Sequence, residues 1–165
     1  MRRFLIGLAL ALTITACATQ KNMLVYSSGF SFANYDYVVV DKLDGRGSTS
    51  LYGMDVEFAN MLSRYNMKVI GNKEYGTLPL EVQKRTLNAR MSVSASNKRI
   101  LLSVSFDDAV TGRTGSSITT YGHGDIFNAN ARMGAFEAAS STIILALQRD
   151  KGLQIAVTQE KVVSR

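Results

Sequence analysis

The chain has 165 residues, a formal net charge of +6 at pH 7, one cysteine and one histidine. A single cysteine excludes an internal disulfide, and a single histidine leaves a zinc site without enough imidazole or thiolate ligands. The lysines and arginines are scattered along the chain, which argues against nucleic-acid binding.

The N-terminus has the pattern of a secretory signal. Arg2 and Arg3 precede an uncharged apolar run over residues 4–14, which ends in small residues. A run of this length is too short to span a membrane as a helix, which needs about 20 residues. Residues 1–16 are therefore predicted to be a cleaved signal peptide.

The cysteine that follows makes this prediction more specific. The stretch Ile14-Thr15-Ala16-Cys17 resembles the lipobox of bacterial lipoproteins, in which the cysteine is lipidated and becomes the new N-terminus. The resemblance implies lipidation at Cys17, and two or three acyl chains anchor a protein stably. Ala18 stands where such lipoproteins carry an aspartate for inner-membrane retention, which implies an outer-membrane location facing the periplasm.

The remainder is predicted to fold as one domain between a tether and a tail. Residues 17–33 are small and polar apart from a brief apolar patch at 23–26, which is typical of a lipidated tether that is partly ordered near its end. Residues 34–158 carry the periodic apolar patterns of a single periplasmic α+β domain. Residues 159–165 are predicted to be a polar C-terminal tail.

The first half of the domain predicts two strands around a helix. Residues 35–41 are rich in β-branched and aromatic side chains, as strands are. From Leu51 onward the apolar residues follow a helical period, and Thr49 or Ser50 is expected to cap the helix. Residues 67–74 then predict the second strand, which Gly71 and Asn72 are expected to bend or end.

The second half predicts three antiparallel strands joined by short turns. In residues 86–95 apolar and polar side chains alternate, so one face should be buried and the other solvated. Residues 100–107 alternate in the same way, and residues 114–121 predict a more polar third strand. The solvated face of the first strand carries five polar residues, Thr86, Asn88, Arg90, Ser92 and Ser94.

A long helix is predicted after the glycine-containing loop around His123. Asp125 is expected to cap its start and Gly152 to end it. Its predicted core stripe includes Met133 and Leu147. Together the elements predict an α+β fold, a two-layer sandwich in which two amphipathic helices cover one face of a mostly antiparallel sheet. The order is β-α-β-β-β-β-α, and a last strand in residues 153–157 is left open.

Three stretches resemble a known periplasmic domain: the strand at 35–41, the helix-to-strand step at 65–70 and the hairpin at 106–113. They are similar to the α/β domain shared by curli secretion lipoproteins, penicillin-binding-protein activator lipoproteins and the N-terminal domain of the TolB translocation protein. The resemblance spans residues 34–150 and implies a small envelope lipoprotein that docks on larger machinery. The connections here are too short for the membrane hairpins of pore-forming members.

No combination of residues predicts catalysis. His123 would need an acidic partner such as Asp125, Asp107 or Asp108 and a nucleophilic serine, and no G-x-S-x-G motif is present. Asp107 and Asp108 are adjacent on a strand, so their carboxylates should diverge and belong to a turn. We expect neither a metal site nor a cofactor.

The candidate partner-binding residues lie in three places, in the loop before the first helix, on the solvated sheet face and before the last helix: Arg46, Thr86, Asn88, Arg90 and His123. The loop around Arg46 has the composition of a flexible connector, and its backbone N–H groups could also bind an anion.

These features predict a non-catalytic interaction or assembly module of the cell envelope. It would be held at the membrane by a lipid on Cys17 and would bind an envelope protein or further copies of itself, with no nucleic acid. The alternative is a small hydrolase or ligand-binding lipoprotein acting on cell-wall or lipid fragments, with His123 and Asp125 at its site.

Overall fold

The computed structural model describes residues 22, 24–41, 53–96, 98–124 and 128–152. Several features discussed above lie outside these described residues: the signal peptide, Cys17, Arg46, the caps Thr49, Ser50 and Asp125, the last strand at 153–157 and the tail at 159–165.

Within the described residues the chain forms six strands and four α-helices. The strands are β1 (Val25–Tyr26), β2 (Tyr37–Val40), β3 (Lys68–Ile70), β4 (Thr86–Ser96), β5 (Arg99–Asp108) and β6 (Thr114–His123). The helices are α1 (Met54–Arg64), α2 (Asn72–Tyr75), α3 (Leu80–Gln83) and α4 (Ala129–Lys151), and Phe32–Asn34 forms a short 3-10 turn.

All six strands belong to one mixed sheet with the order β1-β6-β5-β4-β2-β3. Strand β2 runs parallel to both β3 and β4, while β4, β5 and β6 form an antiparallel meander and β1 is antiparallel to β6. Parallel neighbours need a crossover connection, and α1 supplies the one from β2 to β3. The predicted α+β class and the predicted meander are confirmed.

Local sequence chemistry accounts for the turns of the meander. Lys98, between β4 and β5, has a positive φ of 62°, and its carbonyl accepts from the Gly124 N–H. Between β5 and β6, Asp108 Oδ1 accepts from the N–H groups of Val110 and Thr111, as aspartate does at the start of a turn. Gly112 then takes a φ of 67°, which only glycine adopts readily.

Helices α1 and α4 cover the same face of the sheet and meet it in an aromatic cluster. Phe58 of α1 contacts Phe106 of β5 and Phe136 of α4, with ring centroids 6.1 and 6.5 Å apart. Phe32 packs edge-on against Phe106 at 5.0 Å and is fully buried. Burying one such ring contributes about 1.5–3 kcal/mol to folding, so this cluster is a major source of stability.

The segment before β2 is part of the folded domain, although residues 17–33 were predicted to be a tether. Leu24 is buried, and Ser27 N–H donates to the Gly115 carbonyl beside β6. The Phe32 N–H donates to Asp150 Oδ2 at 3.0 Å, which ties the segment to the end of α4. The folded part therefore begins earlier than the predicted boundary at residue 34, because Leu24 and Phe32 supply apolar surface that becomes buried in the core.

Two predicted element boundaries also change. Helix α1 begins at Met54 after Gly53, whose φ is 96°. Strand β3 ends at Ile70, so Gly71 and Asn72 end the strand rather than bend it, and a short helix, α2, occupies Asn72–Tyr75 instead of the rest of the predicted strand. Gly71 accepts backbone bonds from Glu74 and Tyr75, so the chain turns into the helix there.

The start and buried side of α4 differ from the prediction, while its end is as expected. Asn128 caps the helix by accepting from the Ala131 N–H, and Gly152 ends it with a φ of 64°. Met133, predicted to be in the core, is 38% exposed. The buried side is formed mainly by small residues, including Ala135, Ala139 and Ser140, because they let the helix lie close to the sheet.

Among the described residues no helix is both long enough and apolar enough to cross a membrane.

Candidate functional site

The face of β4, β5 and β6 that the helices leave uncovered carries regular rows of hydroxyl side chains. Strand register places Ser103 between Ser92 and Thr119, and Ser105 between Arg90 and Ser117. The hydroxyls of Ser103 and Thr119 are 3.0 Å apart and share a hydrogen bond. We call this surface, formed by Arg90, Ser92, Ser103, Ser105, Ser117 and Thr119, the open face.

The open face forms a shallow trough of about 590 Å³, and Asp41 at the end of β2 also lines it. The polar groups that line this trough are hydroxyls, the Arg90 guanidinium and the Asp41 carboxylate, which together can donate and accept hydrogen bonds. The arrangement suits recognition of a polar surface.

Arg90 is held in position by a buried carboxylate. Its Nε and Nη2 both donate to Asp107 Oδ2, the Nε at 2.8 Å, and Thr114 Oγ1 donates to Asp107 Oδ1 at 2.6 Å. Asp107 is 1% exposed, whereas the Arg90 side chain is 59% exposed. The carboxylate therefore fixes an accessible arginine at the edge of the trough. This pairing was not predicted, because Arg90 and Asp107 are far apart in sequence.

The remaining sequence candidates on β4 lie in different surroundings. Asn88 is half-buried and faces Asp107 across the β4–β5 pair, next to the open face. Thr86 was predicted to be solvated, but it is fully buried and its hydroxyl donates to the Val82 carbonyl of α3 at 2.7 Å. The prediction for Thr86 is wrong because α3 covers this end of the strand, which a strand pattern does not reveal.

His123 is exposed at the end of β6, where a loop was predicted, and it faces Arg99 of β5. Asp107 faces Thr114 at the opposite end of the same strand pair. Arg99 and Asp107 are eight positions apart along β5, a distance of roughly 27 Å. His123 therefore cannot act with Asp107, and Asp125 lies outside the described residues.

Asp108 belongs to a turn, as predicted. Its carboxylate accepts from the backbone of Val110 and Thr111, from the Thr111 hydroxyl and from the Tyr35 hydroxyl at 3.0 Å. Burial raises the pKa of the Asp108 carboxyl, but these hydrogen bonds outweigh it and hold the pKa below its usual value. Burial, aided by Asp108, raises the pKa of Tyr35 to about 12.

A second cavity lies at the opposite flank of the molecule, between α1 and the edge strand β3. This groove of about 960 Å³ has a largely apolar lining: Val40, Asp55, Val56, Ala59, Asn60, Val69, Ile70, Gly71, Asn72 and Lys73. Val56 is 58% exposed and Val69 is 36% exposed. The sequence analysis missed this site. Its only signal was Val56, an apolar residue outside the predicted apolar stripe of α1.

The described residues contain no cluster of three potential metal-binding side chains of the histidine, cysteine, aspartate or glutamate type. Among the same residues, the acidic groups of the sheet accept hydrogen bonds from arginine, tyrosine and threonine side chains.

Comparison with known proteins finds no matching family model and no matching curated protein. Two solved structures of the PelC dodecamer from Paraburkholderia phytofirmans are similar to this chain at 14% sequence identity. The wild-type form gives a TM-score of 0.49 and covers 77% of this chain and 97% of that one. A variant form gives 0.48, with 76% and 99% covered.

A neuraminyllactose-binding hemagglutinin homologue from Helicobacter pylori is similar at 12% identity, with a TM-score of 0.39, over 79% of this chain and 90% of that one. All three scores lie below 0.5, so these likenesses assign no function to the chain. The resemblance to the TolB-like domains stays a prediction.

Proposed function

We propose that this chain is a lipid-anchored protein of the bacterial envelope whose folded domain is a non-catalytic interaction module. The anchor would be Cys17, and the partner would be an envelope protein that docks on the open face. The lipobox-like stretch at 14–17 supports the anchor. The proposal for the domain depends on one observation, which is the uncovered sheet face with an accessible arginine fixed at its edge.

The composition of this face supports recognition. Its outward positions on β4, β5 and β6 hold mainly arginine, asparagine, serine, threonine and tyrosine, together with Leu101, Asp107 and His123, and among the described ones there is neither lysine nor glutamate. Tyrosine, serine, asparagine and arginine are frequent at recognition surfaces, whereas lysine and glutamate are depleted there. An ordinary solvated face in a chain with 19 lysines and arginines would be expected to carry lysine.

Preorganisation of Arg90 is the physical reason that this face can bind selectively. A free arginine loses side-chain freedom when it binds, which costs about 0.5–1.5 kcal/mol. Here Asp107 has already restricted the guanidinium. A partner would therefore bind Arg90 and the hydroxyl rows at a smaller entropic cost.

Photocrosslinking in living cells tests the docking surface. A photoreactive amino acid at Ser103, in the centre of the open face, should give an adduct with one envelope protein. The matched control places it at Ser141, which is exposed on the outer side of α4. We expect the Ser103 adduct to exceed the Ser141 adduct at least tenfold and to fall at least fivefold with Arg90→Ala or Thr119→Ile. Equal adducts at both positions, or none at Ser103, would refute the proposal.

Fractionation tests the anchor separately. Cys17→Ser should move the protein from the membrane pellet to the soluble fraction and remove a mass increment equal to the acyl groups. Ala18→Asp is the control that keeps the lipid, and it should move the protein from the outer to the inner membrane. Membrane association that survives Cys17→Ser would exclude the lipid anchor while leaving the docking surface untouched.

The alternative, a small hydrolase or ligand-binding lipoprotein with His123 and Asp125 at its site, stays a prediction, because His123 is exposed at the end of β6 and Asp125 lies outside the described residues.

A further inference from the structure

We propose that one end of the sheet binds the anionic headgroups of the membrane into which the lipid on Cys17 inserts. We call it the basic end, and it is formed by Lys98 before β5, Arg99 at the start of β5, His123 at the end of β6 and Arg132 near the start of α4. The inference rests on the proposed anchor at Cys17 and does not depend on what docks on the open face.

The fold brings the residues of the basic end together. The strand register places Arg99 opposite His123 in the β5–β6 pair. Gly122, the neighbour of His123, packs so closely against the backbone of Ala131 that an added Cβ would overlap its carbonyl oxygen. The start of α4, and Arg132 with it, is therefore held at the same end of the sheet.

Positive charge exceeds negative charge at this end. Residues 91–106 and 115–136 together contain Lys98, Arg99 and Arg132 but a single acid, Asp125, which lies outside the described residues. Lys98 and Arg99 are exposed, and neither forms an ion pair within the described part of the chain. An exposed cation close to an anionic lipid surface strengthens binding about fivefold.

The opposite end of the meander has the reverse balance of charge. Its turn, residues 107–114, contains two acids and one arginine. The nearby arginine that precedes β4, Arg85, is paired with Asp36. An anionic surface would therefore gain little from this end, and the difference between the two ends favours the basic end.

The length of chain between the lipid and the domain keeps the basic end near the membrane. Leu24, which is buried in the domain, is seven residues from Cys17, and these span at most about 24 Å. Strand β1 places Leu24 level with Ile118, which is five residues, or roughly 17 Å, from His123. A chain extended toward the membrane therefore leaves the basic end within about 10 Å of it, the Debye length at 0.1 M salt.

The direction of β1 favours the same orientation. Because β1 is antiparallel to β6, the chain enters β1 from the side on which β6 ends at His123. A lipid beneath the basic end is reached without reversing the chain. Placing the opposite end on the membrane would require the chain to turn back just before Leu24. Chain direction and charge therefore select one orientation.

This orientation also explains how the open face would meet its partner. The strands of the meander would stand upright on the membrane, with the basic end against the headgroups. The open face would then point sideways, parallel to the membrane plane. A partner embedded in the same membrane could reach it without displacing the domain.

Fluorescence quenching tests the orientation. The chain contains no tryptophan, so one introduced residue reports its own position. Tyr121→Trp places it two residues from His123, and Val110→Trp places it in the opposite turn, where the side chain is also exposed. The full lipidated chain is reconstituted in vesicles of phosphatidylcholine with one third phosphatidylglycerol and a lipid that carries a quencher on its headgroup. We expect quenching of Tyr121→Trp to exceed that of Val110→Trp at least fivefold.

Charge reversal tests the chemistry of the contact. In the Tyr121→Trp variant, adding Lys98→Glu and Arg99→Glu should reduce quenching at least threefold, as should vesicles of phosphatidylcholine alone. The matched control is Arg64→Glu with Arg113→Glu, two exposed residues that change the net charge equally but lie outside the basic end. It should leave quenching unchanged. Thermal denaturation confirms that each variant is folded, and equal losses from the two pairs would overturn the proposal.

The anchor and this orientation can fail separately. Protein that does not float with the vesicles would refute the anchor, and the orientation with it. Protein that floats but is quenched equally at positions 121 and 110 would refute the orientation alone. Neither result would affect the Ser103 adduct expected at the open face.

Discussion

The two faces of the central sheet are built from different chemistry. The covered face is apolar, and α4 approaches it so closely that only a glycine fits at position 122, since a Cβ there would overlap the carbonyl oxygen of Ala131. The open face carries hydroxyl rows and buries one charged group, Asp107, among its described residues. The face covered by the helices therefore supplies most of the stability, and the open face is free to serve recognition.

The largest expected effect is on the covered face. Gly122→Ala should lower the free energy of unfolding by about 3 kcal/mol, because the new methyl group collides with the backbone of α4 and cannot be accommodated by a side-chain movement. The matched control is Gly134→Ala in α4, where a Cβ meets no neighbour within 4 Å. That variant should gain about 0.5–1 kcal/mol from helix propensity. Urea denaturation measures both, and equal effects would contradict the close approach.

A smaller effect is expected at the one buried charge of the open face. Arg90→Ala should cost about 1–2 kcal/mol, because Asp107 keeps only the Thr114 hydrogen bond and remains buried. The exposed pair Glu81–Lys84 provides the control, and Lys84→Ala should cost less than about 0.5 kcal/mol. The same denaturation measurement applies. Equal costs at the two sites would mean that burial of Asp107 does not strengthen the pair.

The smallest effect concerns the link between Tyr35 and Asp108. The folded-state pKa of Asp108 is lowered, so its contribution to stability is complete above about pH 4 and is lost as the pH falls through the folded-state value. The pKa of Tyr35 is raised to about 12, so the Tyr35 contribution is complete below about pH 10 and is lost as the pH rises through 12.

Replacing Tyr35 with phenylalanine should therefore flatten the decline in thermal stability above pH 10 and cost about 1 kcal/mol at pH 7. Tyr121→Phe is the control, because Tyr121 is exposed on the last strand. Denaturation curves from pH 2 to 12 distinguish the two variants. If the Tyr35→Phe curve parallels that of the unmodified chain at high pH, folding does not raise the pKa of Tyr35.

Much of the fold could be predicted from local patterns. The alternation in β4 and β5 indicates a strand with one buried face, and Gly152 takes the left-handed conformation expected at the end of α4. These features depend on the chemistry of neighbouring residues, which a sequence displays directly.

The candidate sites were predicted less well. The polar residues of β4 led to the correct face, but Thr86 is covered by α3, and the partner that fixes Arg90 is remote in sequence. The groove between α1 and β3 was missed, since one exposed valine in a helix is not a signal until a second element lies beside it.

The sequence by itself determined the residues that can form strands and helices, because side-chain periodicity and turn chemistry are local. It also determined the signal-like start and the single cysteine at position 17. The tertiary structure decided that residues 24–33 join the core and that Asp107 fixes Arg90. It also decided which sheet face stays open and where an edge is free. Those properties depend on contacts between residues that are far apart in the chain. Which side chains are buried and which groups pair is decided only when the helices and strands pack together.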